Sequence, residues 1–186
     1  ALNVAAFEGA WQQVIDCYSV LRTFFAWKRL DKPLQVVNKQ MKLSLEKQDW
    51  RYLSPDHQQE HLEAFLDADR QQSFDPSRAP LIRLTLSQTS EQAHQLICTY
   101  CRLVLDDRSL RWVLEQVFAC YEGLCQGQDW QPELKLPYRD YIAWLRRQDI
   151  SKAKTFWRQM IEGFTAPTPL VVEQTPDSLS GQKESY

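Results

Sequence analysis

The residues best placed to do chemistry in this sequence lie in "TYCRLVLDDRSL", residues 99–110. Two adjacent acids, Asp106 and Asp107, follow a segment of strand character and precede a long amphipathic pattern. Strand ends and the loops after them are where many folds carry function. Cys101 and Arg102 stand just ahead of the acids, and the stretch holds no histidine and no glycine. It therefore has no side chain that ordinarily titrates near neutrality. Asp107 and Arg108 also fit an ordinary solvated turn. Cys98 and Cys101 form a CxxC, a spacing used for redox chemistry or metal ligation. Neighbouring positions of a strand face opposite sides, so residues three apart are poorly placed to chelate. No second CxxC or nearby histidine pair completes a zinc site, and half-buried ordinary cysteines are expected. His57 and His61 have a helical metal-binding spacing but no evident third ligand, so polar surface residues, and no metal site, are the expectation.

The elements that must position these residues are legible from periodicity. Asn3 can cap a helix with Val4, Phe7, Trp11, Val14 and Tyr18 on one face. "VLRTFFAW", residues 20–27, has strand character, and "PLQVVNK" and "KLSLEKQDW" read as short extended pieces. Ser54-Pro55 opens a second helix that buries Leu62, Phe65 and Leu66. "FDPSRAP" then breaks the chain with two prolines. "LIRLTLSQ" alternates, with Ile82, Leu84 and Leu86 on one side and Arg83 and Thr85 on the other. "HQLICTYCRLVL" follows a short polar connector, which predicts an antiparallel hairpin. From Ser109, a plausible cap, Leu110, Val113, Leu114, Val117, Phe118, Tyr121 and Leu124 make a helical stripe. Trp112 lies off that stripe, a candidate exposed contact for a partner. Two more helices are expected around 138–147 and 151–162. The order predicts an α/β (α+β) fold, a mixed, partly antiparallel sheet covered by helices.

Bulk composition removes several function classes. At 186 residues, 44% hydrophobic and 25% charged, the chain has the make-up of a soluble globular domain. A net charge of −2 gives no electrostatic reason to expect nucleic acid or anionic lipid. No apolar run approaches the roughly 18 residues of a membrane helix. Five glycines and no GxGxxG or GxxxxGK pattern argue against a phosphate loop. Five cysteines, scattered through apolar segments, suit a reducing, cytoplasmic setting.

Three strings carry a resemblance. "VLRTFFAW" resembles the xLRTxF signature of condensation domains from nonribosomal peptide synthetases, and "YRDYIAWL", residues 138–145, resembles their YxDYxxW signature. Between them "CRLVLDD" occupies the place of HHxxxDG. The resemblance implies a chloramphenicol acetyltransferase-like fold of two lobes with a channel between them. Residues 1–164 would be the N-terminal lobe and 165–186 a connection towards a missing C-terminal lobe. It further implies acyl or peptidyl carrier proteins as partners, delivering substrates on phosphopantetheine arms, with no directly bound cofactor.

By the same resemblance Cys101 falls on the first histidine of the motif, Arg102 on the second, Asp106 on the aspartate and Asp107 on the glycine. An arginine stays protonated at any working pH and cannot replace a histidine as general base. The family's aspartate usually pairs with an arginine; Arg22, Arg83 and Arg108 are candidates here, or an arginine of the missing lobe. Arginine at the second position with paired aspartates also resembles the non-condensing X-domain, which recruits tailoring enzymes. The readings are a degenerate, protein-binding domain, part of an active amide-forming one and, against the three ordered strings, a stand-alone binding module unrelated to peptide synthesis.

Overall fold

A computed structural model describes residues 1–132 and 137–166. Its order is α1 (Val4–Cys17), β1 (Thr23–Ala26), β2 (Leu34–Val37), β3 (Leu45–Asp49), α2 (Pro55–Gln71), β4 (Ile82–Gln88), β5 (His94–Tyr100), α3 (Asp107–Gln126), α4 (Tyr138–Leu145) and α5 (Ile150–Met160). The expected mixed sheet is present: β3, β4 and β5 lie side by side, β3 parallel to β4 and β4 antiparallel to β5. β1 and β2 form a separate antiparallel pair. The chain divides into two compact units between Tyr141 and Ile142.

Alternation along β4 builds the first unit. Ile82, Leu84 and Leu86 are buried on the face that meets α1 and α3, together with Phe7, Trp11, Val14, Val113 and Val117. Each such Leu contributes about 1.5–3 kcal/mol by leaving water. The opposite face is not merely solvated: Thr85 and Ser87 are buried, and Arg83 reaches Asp69 of α2. α2 is anchored at its start as well. Gln58 donates to the carbonyls of Trp50, Leu53 and Thr89, and His61 stands edge-on to the buried Trp50 at 4.9 Å.

Helix ends follow capping chemistry. Asn3 Oδ1 accepts from the Ala6 N–H, as expected, and Ser54 caps α2. α3 stops at Gly127, whose φ of +67° suits glycine and whose N–H returns to the last turn.

Several expectations need correcting. Val20–Arg22 belong to a short 3-10 helix, Ser19–Arg22, so only Thr23–Ala26 of "VLRTFFAW" is strand. β5 ends at Tyr100, because Val104 and Leu105 N–H turn back to the Cys101 carbonyl. Leu62, Phe65 and Leu66 are half-buried rather than buried. In α3, Cys120 is buried and Phe118 is exposed, the reverse of the stripe's promise. Trp112 is no exposed contact: it packs edge-on against Tyr18, ring centres 4.7 Å apart. α4 and α5 form at the two ranges expected for them, and Tyr138, Trp144, Leu145, Phe156, Trp157 and Met160 are exposed on them. Most of the proposed connection 165–186 lies outside the described residues.

Candidate functional site

The motif loop is held at both ends. Cys101 N–H donates to Leu81 O at 2.9 Å, which ties the end of β5 to the start of β4. Leu105 is buried in the core and pins the loop four residues later. Between them Arg102 and Leu103 are exposed. Asp106 is the N-cap of α3: its Oδ1 accepts from the Ser109 N–H at 2.7 Å. Ser109, expected as the cap, is instead the residue that Asp106 caps. The Ser109 side chain and N–H hold the Asp106 carboxyl below the usual carboxylate range.

Arg102 and the second acid form the ion pair. Arg102 Nη2 lies 2.8 Å from Asp107 Oδ2, and the Tyr100 hydroxyl donates to Asp107 Oδ1. The Tyr100 hydroxyl first, and then the Arg102 guanidinium, hold Asp107 below the usual range. The same hydrogen bond pushes the Tyr100 hydroxyl up. A carboxylate so stabilised is a weaker base, and a tyrosine so bonded is a weaker acid. Asp107, in the first turn of α3, also meets the positive end of the helix dipole. Both partners of the ion pair are largely exposed, so its consequence is the direction in which Arg102 points, rather than stability.

The other candidate residues are engaged elsewhere. Arg22 does not pair with Asp106: its guanidinium donates to the carbonyls of Ile15, Asp16, Asn38 and Lys39. Arg83 pairs with Asp69, 2.8 Å away. Cys98 lies on the core face of β5, where burial pushes its thiol up to about 12, too high for a thiolate nucleophile at neutral pH. His57 Nδ1 is 3.0 Å from Ser54 Oγ. Among the described residues no three His, Cys, Asp or Glu side chains are grouped to hold a metal ion. Tyr100 is the site residue that sequence reasoning missed. Strand parity placed it on a face, but nothing in the sequence announced its bond to Asp107.

The cap has a testable consequence. Asp106→Ala should lower the unfolding temperature by roughly 2–4 °C, whereas Asp106→Asn should keep the cap and change it little. Thermal unfolding followed by circular dichroism reads the difference. In the folded state Asp106 titrates below its unfolded value of about 3.9. Its contribution is therefore present above that pH and lost as the pH falls through the folded value. Asp106→Asn should remove its share of that acid-side loss.

The described residues form a mixed sheet with helices packed on it, and a loop leads from the β4–β5 hairpin into a capped helix, the chloramphenicol acetyltransferase-like fold of the solved condensation domains it resembles. The condensation domain family model matches residues 1–185, and the chain belongs to that family, found in nonribosomal peptide synthetases. Two proteins of the linear gramicidin synthase of Brevibacillus parabrevis are each 43% identical to it, one over 169 residues and the other over 185. Those matches cover 91% and 100% of this chain, but only 3% and 2% of the two synthase proteins. The starter condensation domain of the rhizomide synthetase RzmA shares the fold: TM-score 0.76 at 20% identity, over 90% of this chain and 41% of that one. An X-domain solved in complex with OxyB, from teicoplanin biosynthesis, is 28% identical with a TM-score of 0.68, over 91% of this chain and 37% of that one. The chain thus spans a small fraction of its curated relatives and well under half of these solved domains. No helix among the described residues is long and apolar enough to cross a membrane.

Proposed function

We propose that this condensation-type domain does not form the amide bond and acts instead in binding carrier proteins or a tailoring enzyme. The observation that carries the reading is the Arg102–Asp107 ion pair: Arg102 is a permanent cation, and the sequence resemblance sets it at the position of the family's second histidine. The nearest titratable partners, Asp107 and Tyr100, are bonded to each other in the sense that weakens both as proton carriers. The X-domain likeness supports recruitment as the remaining role. Phosphopantetheine arms of carrier proteins would then reach the domain as cargo, and residues 1–164 would be one of two lobes. The test is single-turnover condensation in the intact synthetase, with donor and acceptor carrier proteins loaded. No amide product above the level without the domain is the expected result. Product that is lost in Asp106→Ala or Arg102→Ala would overturn the proposal.

A further inference from the structure

We infer that the outer edge of β2 accepts an extended, acidic segment of a partner protein as a third strand. The inference goes beyond the motif and does not depend on whether the domain condenses. Among the described residues β1 and β2 form a sheet of two strands, and a two-stranded ribbon is marginally stable by itself.

The hydrogen-bond parity of that ribbon identifies the open edge. In an antiparallel pair, bonded and non-bonded residue pairs alternate. Asn38 N–H donates to Arg22 O at 2.9 Å, one step beyond the Thr23↔Val37 pair. Phe24↔Val36 and Ala26↔Leu34 are then the bonded pairs, while Phe25, Gln35 and Val37 turn their main-chain groups outward. On β1 this is seen directly: Phe25 N–H donates away from β2, to Pro76 O at 2.8 Å. That edge is taken. On β2 the outward N–H and C=O groups of Gln35 and Val37 have no main-chain partner among the described residues. They are spaced as an added strand requires.

Side chains define the occupant. Leu34 and Val37 on β2 are 53% and 46% exposed, and Trp27 and Leu30 of the connecting loop 40% and 44%. Around them Lys28, Arg29, Lys32, Lys39 and Lys42 are all exposed, and none makes an ion pair among the described residues. Asp31 is the one acid within residues 27–42, although the whole chain carries a net charge of −2. Lysines and a proline beside an edge strand guard against self-pairing, and Lys32, Pro33 and Lys39 flank β2 in this way. A second copy would bring the same cations alongside. An acidic strand would meet them with opposite charge, gain four main-chain hydrogen bonds at most, and set its apolar side against Leu34 or Val37, which lie on opposite faces of β2.

The test titrates the 186-residue chain, isotopically labelled, with a fluorescent peptide of alternating valine and glutamate. A peptide with lysine for glutamate and a single-stranded DNA oligonucleotide serve as comparisons. Binding of the acidic peptide, with amide exchange slowed at Gln35 and Val37, is the expected result. Gln35→Pro removes one outward N–H while leaving the bonded side of the ribbon intact, a substitution edge strands tolerate. It should weaken binding at least about tenfold, as should Lys32→Glu with Lys39→Glu. Unchanged exchange at Phe24 and Val36 confirms that the variant retains the hairpin. Any of four results overturns the inference. They are no acidic-peptide binding, binding indifferent to Gln35→Pro, preferential binding of the DNA, or slow exchange at Gln35 and Val37 before peptide is added.

Discussion

The triple replacement Cys101→His, Arg102→His and Asp107→Gly is expected to raise amide formation by the intact synthetase by a factor of about 100 or more. A positioned general base contributes about 10²–10⁴ in rate when its pKa lies near the working pH. Arg102 supplies no such group, and Asp107 is drawn the other way by Tyr100 and Arg102. Arg102→His alone should gain less, because Asp107 would remain hydrogen-bonded to Tyr100 and would hold the new imidazole as a cation. Asp107→Gly removes that anchor and restores open backbone at the start of α3. The loop itself needs no rebuilding: the Cys101–Leu81 hydrogen bond, buried Leu105 and the Asp106 cap do not depend on the three changed side chains. Single-turnover formation of dipeptidyl carrier protein measures the gain. A wild-type rate already equal to that of the triple variant would mean that proximity alone suffices. In that case the non-condensing reading fails.

How much was legible beforehand depended on how local each feature is. The β4–β5 hairpin could be read because period-two alternation is a property of consecutive residues, and Asn3 because a cap and its helix are adjacent. The three family strings could be read for the same reason. What could not be read were partners brought together by the chain's return. Ser109 and Asp106 are both good cap residues three apart, and only the turn at Cys101–Leu105 decides that Asp106 lies outside the helix and Ser109 within it. Trp112 looked unpartnered on its own helix because Tyr18, which covers it, comes from the end of α1. Arg22, one candidate partner of the motif aspartate, is engaged similarly: it closes the turn after α1 through carbonyls, which no charge pattern reveals. The Arg102–Asp107 pair spans only five residues, yet it needed the strand to stop at Tyr100.

The least legible feature has the largest expected effect on stability. Asp69 on α2 receives Arg83 Nε from β4 at 3.0 Å on one oxygen and Thr99 Oγ from β5 at 2.6 Å on the other. Arg83 and Thr99 are cross-strand neighbours in register, so one carboxylate fastens α2 to two strands at once. Arg83 also donates to the carbonyls of Asp69 and Gln72 and lies over the Phe74 ring, 4.3 Å from its centre. The side chains are 26% and 13% exposed, sheltered enough that removing one partner leaves a charge poorly solvated. Asp69→Ala should therefore cost about 3 kcal/mol, read as a shifted midpoint in urea. Asp69→Asn should cost less, since its amide oxygen can still accept from Arg83 or Thr99. The double change Asp69→Leu with Arg83→Met should recover much of the loss, because apolar groups of similar volume need no compensating charge. If Asp69→Ala shifts the midpoint by no more than an exposed pair would, below about 1 kcal/mol, α2 is held by Trp50 and Gln58 alone. Recovery in the double variant, by contrast, would locate the cost in the stranded guanidinium and not in the lost contact.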